Sequence, residues 1–324
     1  MDETTLRRGL ELTLERTELA GLGERRAGKV RDSYVDATAG RRTIVVTDRI
    51  SAFDYVLGTV PFKGQVLNGM AAYWFEESRG VAANHLLGVH DPAVSVVREC
   101  TPFAVEMVVR GYLTGSSSTS IWTHYARGAR DYCGHVLPEG MRKHERLPRP
   151  LITPTTKAEL GAHDEPLSAA QVVERGICSA ADWEQLAQLA LRMFDLGTRR
   201  AAERGLILVD TKYELGRDPA GEILFIDEIH TPDSSRYWYA DSYEDALRSG
   251  GDPRALDKEF VRRRLVADGY DGKGSPPALT DEIRLEAARR YVELFERVTG
   301  RAFVPDLQPP AERIRRNLGP AKRS

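Results

Sequence analysis

The chain has 324 residues, of which 41% are hydrophobic and 29% charged, and its formal net charge is −2. This composition is typical of a globular protein that buries one or two cores, and so small a charge gives no field that attracts nucleic acid or an acidic membrane surface. Cys100, Cys133 and Cys178 are scattered without CxxC spacing, which favours buried thiols over disulfides or zinc. Because no apolar run has the length of a membrane span and the first residues lack the core of a signal peptide, we expect a cytoplasmic protein.

The N-terminal part begins with a predicted amphipathic helix over residues 4–20, which glycines then break. The segment AGKVRDSYV, residues 27–35, predicts a hairpin that turns at Gly28 and carries Lys29 and Arg31 on one face. Such a hairpin can cover phosphates as the glycine-rich loop of a kinase does. A solvated surface hairpin would show the same pattern.

A strand over residues 42–47 ends in DRISAFD, residues 48–54. Strands that lead into acidic residues and a serine often open ligand-binding loops in α/β enzymes. Alternatively, Asp48 or Ser51 accepts hydrogen bonds from backbone N–H groups at a capped turn. A helix over residues 61–77 follows, and the helical spacing of its apolar side chains predicts that they belong to the core.

The segment PFAVEMVVRGYL, residues 102–113, is a predicted strand that leaves a polar loop over residues 114–120. Hydroxyls, turn N–H groups and the Arg110 guanidinium are natural phosphate ligands, although a serine-rich loop is often a flexible linker. Residues 134–168 are rich in proline and show little periodicity. A loop of that length is usually functional, and a proline-stiffened surface connection is the alternative for residues 134–150.

The clearest helix is predicted over residues 179–204, with Ser179 as its N-cap and Gly205 at its end. Further helices are predicted over residues 243–248, 257–267 and 281–298. The last of them has a threonine at its N-cap and a glycine just beyond its end.

Between these helices, an apolar run over residues 206–209 opens into Asp210, Lys212 and Glu214 at every second position. In a strand these three charged side chains share one face. The strand returns through DPAG, residues 218–221, which is favourable type I turn chemistry.

If the first and last residues of that turn pair, Asp227 on the return strand lies opposite Lys212 and on the same face as Glu214. Proteins usually hold Mg²⁺ with one or two carboxylates and substrate phosphates, so the pattern predicts a metal site for a bound polyphosphate. A hairpin with one solvated face is the alternative, because the same alternation is ordinary there.

The segments DTKYELG (210–216) and DEIHTPDSSRYW (227–238) resemble the signature of the phosphoribosylaminoimidazole-succinocarboxamide synthase (SAICAR synthetase) family. Supporting matches run from GKVRDSY near residue 28 to DKEFVRRRL near residue 257, so the resemblance covers most of the chain. The family usually has a small aliphatic residue where His230 stands, which we expect to alter packing more than chemistry.

The resemblance implies an α+β fold with two lobes and a cleft between them. A β-rich, kinase-like nucleotide lobe would span residues 1–115, and an α/β lobe with the metal and substrate sites would span residues 116–324. The implied reaction uses ATP and Mg²⁺ to join L-aspartate to 5-amino-1-(5-phosphoribosyl)imidazole-4-carboxylate (CAIR), with no nucleic-acid or membrane partner. A kinase-like phosphotransferase and a non-catalytic nucleotide-binding module are the rival hypotheses, but the HRDxxxxN loop of protein kinases is missing from the sequence.

The resemblance also assigns roles to residues. Catalytic roles fall on Lys212 and Asp233, and the metal ligands are Glu214 and Asp227. ATP binding falls on Gly28, Lys29, Arg31, Glu106, Val108 and Lys157, with the backbone near Glu106 and Val108 meeting the adenine edge. Substrate binding falls on Arg110, Gly115, Ser116, Ser235 and Arg236.

Overall fold

The computed structural model describes residues 1–53, 55–117, 119–157, 164–256, 258–270, 272 and 274–319. Helices and strands are mixed along these residues, which confirms the α+β class. The helices are α1 (Glu3–Gly9), α2 (Lys63–Glu77), α3 (Ile121–Ala126), α4 (Ala169–Glu174), α5 (Ala180–Glu203), α6 (Ala240–Ser249), α7 (Glu259–Ala267), α8 (Asp281–Thr299) and α9 (Pro310–Leu318). Within the described residues, no helix has the length and apolar character needed to cross a membrane.

The strands form two main sheets. They are β1 (Glu24–Ala27), β2 (Arg31–Asp36), β3 (Arg41–Val46), β4 (Arg49–Ala52), β5 (Tyr55–Thr59), β6 (Leu86–Asp91), β7 (Val94–Arg98), β8 (Thr101–Pro102), β9 (Val105–Tyr112), β10 (Asp131–Tyr132), β11 (His135–Val136), β12 (Arg146–Ile152), β13 (Thr155–Thr156), β14 (Leu206–Arg217), β15 (Ile223–Ile226) and β16 (Ser235–Tyr239). The first sheet has the order β1-β2-β3-β7-β6, and the second has the order β12-β9-β14-β15, with β13 on β9 and with β8 and β16 on β14. Strand β14 therefore lies at the centre of the second sheet.

Helices α2 and α5 bury their apolar faces in one core that both sheets share. Val66 and Trp74 of α2 belong to the same buried cluster as Met107 of β9 and Phe194 of α5. The prediction that the apolar side chains of residues 61–77 are core is thus confirmed for Val66, Leu67, Met70 and Trp74.

The predicted helix ends agree with the structure where caps were visible in the sequence. The Ser179 side chain accepts a hydrogen bond from the Asp182 N–H at the start of α5. Thr280 caps α8 in the same way, and Gly300 ends that helix with a φ of 68°. Predictions that fall on Asp54, Ser118, residues 158–163 and Asp257 lie outside the described residues.

Two predicted segments are wrong. The N-terminal helix ends at Gly9, followed by a 3₁₀ turn over Leu10–Leu12, instead of continuing to residue 20. The backbone N–H groups of Leu14 and Thr17 bind the carboxylates of Asp48 and Asp32, which holds this segment in an extended path. The proline-rich stretch contains the strand β12, whose prolines are tolerated because β12 is an edge strand.

The predicted register of the central hairpin is wrong by one residue. The turn forms as expected, with the Gly221 N–H donating to the Asp218 carbonyl at 2.9 Å, but Glu222 then pairs with Asp218 through a 3.0 Å bond. Gly221 has a φ of 89° and adds one residue to the return strand, as a bulge after a type I turn does. Glu214 consequently pairs with Ile226.

A shift of one residue would send Asp227 to the face opposite Glu214 if the strand continued. The strand ends at Ile226, however, and Asp227 takes a φ of 67°. Because its backbone is left-handed here, the Asp227 side chain lines the same cavity as Glu214. The division into lobes at residue 115 stays a prediction, and strand β9, which would end the first lobe, pairs with β14 in the second sheet.

Candidate active site

A cavity of about 350 Å³ lies between the glycine hairpin of the first sheet and strands β14 and β15 of the second. The β1–β2 hairpin closes as predicted, with the Gly28 N–H donating to the Arg31 carbonyl at 2.8 Å. The cavity lining brings together six residues that the sequence assigns to ATP and metal: Gly28, Lys29, Arg31, Lys157, Glu214 and Asp227. Its apolar wall is formed by Ile44, Val97, Cys100, Pro102 and Ile226.

Arg31 links the glycine hairpin to the opposite wall of the cavity. Its guanidinium binds the Asp227 carboxylate, and its second terminal nitrogen lies 2.6 Å from the Glu228 carboxylate. Burial would lower the pKa of Arg31, but these two carboxylates raise it. The left-handed backbone of Asp227 is uncommon for a residue with a side chain, and such conformations concentrate at functional sites.

Lys212 and Glu214 share one face of β14, as predicted. The Lys212 ammonium lies 2.5 Å from Glu106 and 3.6 Å from Glu214, while Lys157 binds Glu214 at 2.5 Å. Burial opposes ionisation of Lys212, yet Glu106 and Glu214 raise its pKa above the ordinary value. Lys212 therefore stays an ammonium at neutral pH.

The donor set at the cavity wall fits a magnesium ion that also binds phosphate. Among the described residues, no group of three or more His, Cys, Asp or Glu side chains is arranged to hold a metal. Glu214 and Asp227 are two carboxylates on one cavity, which is the number that Mg²⁺ takes when substrate phosphates and water complete its shell. The assignment of these two residues as ligands stays a prediction.

The backbone near Glu106 and Val108 lies inside the second sheet. Strand β9 pairs with β14 on one side and with β12 and β13 on the other, and the Val108 carbonyl accepts a 2.8 Å bond from the Thr153 N–H. The cavity wall is made instead by the neighbouring segment with Cys100 and Pro102. Adenine binding at Glu106 and Val108 stays a prediction.

A second charged cluster lies farther along the same face of β14. Asp210 sits in one row across three strands, opposite Arg110 on β9 and Arg236 on β16. The Arg236 Nε donates to Asp210 at 2.8 Å, and Arg110 Nη1 lies 3.6 Å from the same carboxylate. Arg110 is also fixed by a 2.8 Å bond from its Nε to the Thr153 hydroxyl. Two guanidinium groups are thus held side by side.

The loop after β9 closes over this cluster. Gly115 has a φ of 113°, and a Cβ there would lie 2.5 Å from Ser120 Cβ and 3.5 Å from Arg236 Nη1. Only glycine allows this approach. Ser116 beside it is exposed, whereas the buried Ser235 hydroxyl is 2.7 Å from the Thr211 hydroxyl.

Asp233 is held by two residues that the sequence analysis missed. Lys63 Nζ donates to Asp233 Oδ2 at 2.8 Å, and the Tyr291 hydroxyl donates to Oδ1 at 2.5 Å. Burial would raise the pKa of Asp233, but Lys63 and the nearby Lys258 lower it. Neither partner left a signal in the sequence, because each lies within a helix that the apolar pattern already explains.

Asp48 and Arg49, the first two residues of the DRISAFD segment, both bind backbone groups of other segments. Asp48 accepts bonds from the backbone N–H groups of Leu14 at 2.6 Å and Gly64 at 2.8 Å, which confirms the capped-turn alternative. Burial raises the pKa of Asp48 to about 6. Its neighbour Arg49 donates to the carbonyls of Gly28 and Lys29 at 3.0 Å each and so fixes the glycine hairpin from behind.

His230 is buried in the core next to the site. Its Nε2 is 2.5 Å from the Tyr213 hydroxyl, and its ring packs edge-on against Trp74 at 4.6 Å. A Cβ on Gly197 would come within 2.2 Å of the imidazole, so helix α5 makes room for it with a glycine. Burial lowers the pKa of His230 to about 3, and the neutral ring acts as core, in line with the expectation.

A family profile, related sequences and solved structures all point to one protein family. The sequence profile of the family described as SAICAR synthetase matches residues 24–277. The phosphoribosylaminoimidazole-succinocarboxamide synthase of Legionella pneumophila strain Lens is 46% identical over 89% of this chain and 91% of its own length. The chloroplastic enzyme of that name from Arabidopsis thaliana is 43% identical over 98% of this chain and 78% of its own. A solved SAICAR synthase from Saccharomyces cerevisiae, complexed with SAICAR, is 30% identical, with a TM-score of 0.78 over 90% of this chain and 100% of that one.

Proposed function

The chain belongs to the SAICAR synthetase family, and from this membership we infer that it is an ATP-dependent carbon–nitrogen ligase. It joins L-aspartate to CAIR and gives SAICAR, ADP and phosphate, a step of purine biosynthesis. The observation that carries this assignment to particular residues is the charged face of β14. That face runs from the arginine pair at Asp210, past Lys212, to Glu214 in the cavity.

ATP occupies the cavity between the two sheets in this proposal. The triphosphate lies under the glycine hairpin, where Lys29, Arg31 and Lys157 neutralise its oxygens. The base lies against the apolar wall near Cys100 and Pro102. The Glu106 side chain takes part by holding Lys212.

Glu214 and Asp227 are the residues that would hold Mg²⁺. When bound, the ion supplies positive charge to the phosphate oxygens. The chain itself supplies Arg31 and Lys157, which balance these carboxylates in the structure and line the same cavity. Both the carboxylates and the cations are thus preorganised at the place where a triphosphate brings four negative charges.

The chemistry has two steps because a carboxylate is a poor acyl donor whose leaving group would be oxide. An oxygen of the CAIR carboxylate attacks the γ-phosphorus of ATP, and ADP leaves. The amine of L-aspartate then attacks the acyl carbon, phosphate leaves and the nitrogen loses a proton. Lys212, kept as an ammonium by Glu106 and Glu214, stabilises phosphoryl charge in the first step and is not a base.

The arginine pair binds the substrate anions. Arg110 and Arg236 present two guanidinium groups, with Gly115 and Ser116 beside them, and Asp210 fixes their orientation. The buried Ser235 hydroxyl supports this cluster through Thr211. Asp233 accepts a hydrogen bond from the amino group of the imidazole.

Product analysis tests the assignment. With ATP, CAIR and L-aspartate together, we expect ADP and a new product with the mass of the succinocarboxamide. Leaving out L-aspartate should abolish the amide. ADP release at an equal rate without CAIR and aspartate would reduce the protein to an ATPase, and phosphorylation of a hydroxyl acceptor would make it a kinase.

A further inference from the structure

Asp233 is fixed from two sides by helices that lie far from it in the sequence. Lys63, at the start of α2, and Tyr291, in the middle of α8, each bind one oxygen of its carboxylate, at 2.8 Å and 2.5 Å. The Lys63 side chain is fully buried and that of Asp233 is 6% exposed. The Tyr291 ring also lies beneath the ammonium, with Lys63 Nζ 5.7 Å from the ring centroid.

Tyr291 lies in the middle of α8. The helix spans Asp281–Thr299, with a side-chain cap at Thr280 and a glycine at its C-cap, and Tyr291 is 1% exposed among other buried residues of this helix. The family profile ends at residue 277, before α8 begins. A residue outside the matched region therefore contacts the DSSR segment inside it.

The carboxylate keeps room for a substrate. An ionised carboxylate offers about four lone-pair positions, and Lys63 and Tyr291 use one on each oxygen. A third donor, such as the amino group of the imidazole, can still bind. The two fixed donors would determine the rotation of the carboxylate about its χ2 torsion, which is otherwise a soft torsion.

We infer that Tyr291 and Lys63 are positioning residues that orient Asp233 toward the imidazole substrate, an inference that rests on the proposed role of Asp233. The Lys63 ammonium balances the charge of the Asp233 carboxylate, and the Tyr291 hydroxyl fixes its rotation. Among the described residues, the cations Lys258, just before α7, and Arg31 on β2 also interact with Asp233, and Glu228 interacts with Lys63. Removal of the tyrosine hydroxyl leaves these cations in place. Asp233 then loses one hydrogen bond and, with it, its fixed orientation.

The decisive variant is Tyr291→Phe, which keeps the ring and removes the hydroxyl. We expect kcat/KM for the imidazole substrate to fall by about tenfold, the size of one hydrogen bond to a charged group, while KM for ATP stays unchanged. Tyr125→Phe is the control, since it removes a buried hydroxyl that donates to the Pro138 carbonyl at 2.7 Å and accepts from the Met141 N–H at 2.9 Å. It should lower the melting temperature to a similar degree and leave the kinetics unchanged.

A double-mutant cycle shows whether Tyr291 acts through Asp233. Asp233→Asn alone should lower kcat/KM more than Tyr291→Phe does, and the double variant should be no worse than Asp233→Asn. Additive losses, or wild-type kinetics in Tyr291→Phe, would overturn the inference, provided that the wild-type protein itself forms the amide and so upholds the ligase. A wild-type protein that forms no amide in the same assay would overturn the proposed function and this inference with it.

Discussion

The carboxylate of Asp48 and those of Glu214 and Asp227 are used in opposite ways. Asp48, after β3, gives both oxygens to backbone N–H groups and is buried away from the cavity. Glu214 and Asp227 lie on the cavity wall and bind the side chains of Lys157 and Arg31.

The difference lies in what holds each acid. A backbone N–H cannot move away without unfolding the loop, so Asp48 fixes the chain. A lysine or arginine side chain can turn to another anion, so Glu214 and Asp227 are free to exchange partners when a ligand enters. Burial raises the pKa of Asp48, whereas Lys212 and Lys157 outweigh burial and lower the pKa of Glu214.

The largest expected effect is on turnover at the cavity. Glu214→Gln and Asp227→Asn keep shape and remove one negative charge each, so each should lower kcat by about a hundredfold if one metal ligand contributes several kcal/mol to the transition state. Stability should change little, because Arg31 keeps its ion pair with Glu228 and Lys212 keeps its ion pair with Glu106. The measurement is kcat at saturating ATP and Mg²⁺, beside the melting temperature.

Glu165→Gln is the control for these variants, because Glu165 forms an exposed ion pair with Arg175 at 2.9 Å. It should turn over normally. Near-normal kcat in Glu214→Gln or Asp227→Asn would remove that residue from the metal site and place it with the structural acids.

The reverse pattern is expected at Asp48. Asp48→Asn should lower the free energy of unfolding by about 1–3 kcal/mol, since the amide NH₂ would face one of two N–H donors and leave it without an acceptor. Activity per folded molecule should be unchanged. Urea unfolding measures the loss, with Asp36→Asn as control, because Asp36 is exposed and accepts a bond from the Ala39 N–H at 3.0 Å. A hundredfold drop in kcat without loss of stability would place Asp48 in the active site.

Arg49 connects the two regions, and its replacement sharpens the comparison. Its guanidinium spans the carbonyls of Gly28 and Lys29 and the Asp32 carboxylate, which one ammonium cannot do. Arg49→Lys should therefore loosen the hairpin and raise KM for ATP several-fold, with a smaller change in kcat.

The control is Arg313→Lys. Arg313 is also buried but binds Asp91, which does not line the cavity, at 2.9 and 3.0 Å. It should lose stability without a change in KM for ATP. Equal KM values in the two variants would mean that Arg49 only stabilises the fold.

Features that depend on neighbouring residues could be predicted from the sequence. Ser179 and the two ends of α8 were recognised by their capping residues, and the Gly28 hairpin by its alternation. The cavity residues were named from the family resemblance, and the structure brings Lys29, Arg31, Lys157, Glu214 and Asp227 to one place.

Features that depend on distant residues, or on small differences in turn geometry, could not be predicted from the sequence. The hairpin register depends on whether Gly221 ends the turn or forms a bulge after it. The four residues Asp-Pro-Ala-Gly are compatible with either conformation. Residues 4–20 have the periodicity of a helix, but backbone N–H groups of this segment donate to carboxylates 15 and 34 residues away. Lys63, Asp233 and Tyr291 meet across 170 and 58 residues, a separation that no periodic pattern records.

The smallest expected effect is on the pH dependence of stability, where the two kinds of acid should differ in sign. Because the pKa of Asp48 is raised to about 6 in the folded protein, its contribution to stability is complete below its unfolded value of about 3.9 and is lost as pH rises through about 6. The pKa of Glu214 is lowered in the folded protein, so its contribution is present above its unfolded value of about 4.3 and is lost as pH falls below it.

The difference in free energy of unfolding between wild type and Asp48→Asn should therefore increase on acidification from pH 7. The corresponding difference between wild type and Glu214→Gln should decrease. Each difference should change by no more than about 1.4 kcal/mol per pH unit, the contribution of one proton, and urea unfolding across this range measures both. The same sign for both variants would mean that the Glu214 carboxylate, like that of Asp48, is governed by burial and not by its two lysines.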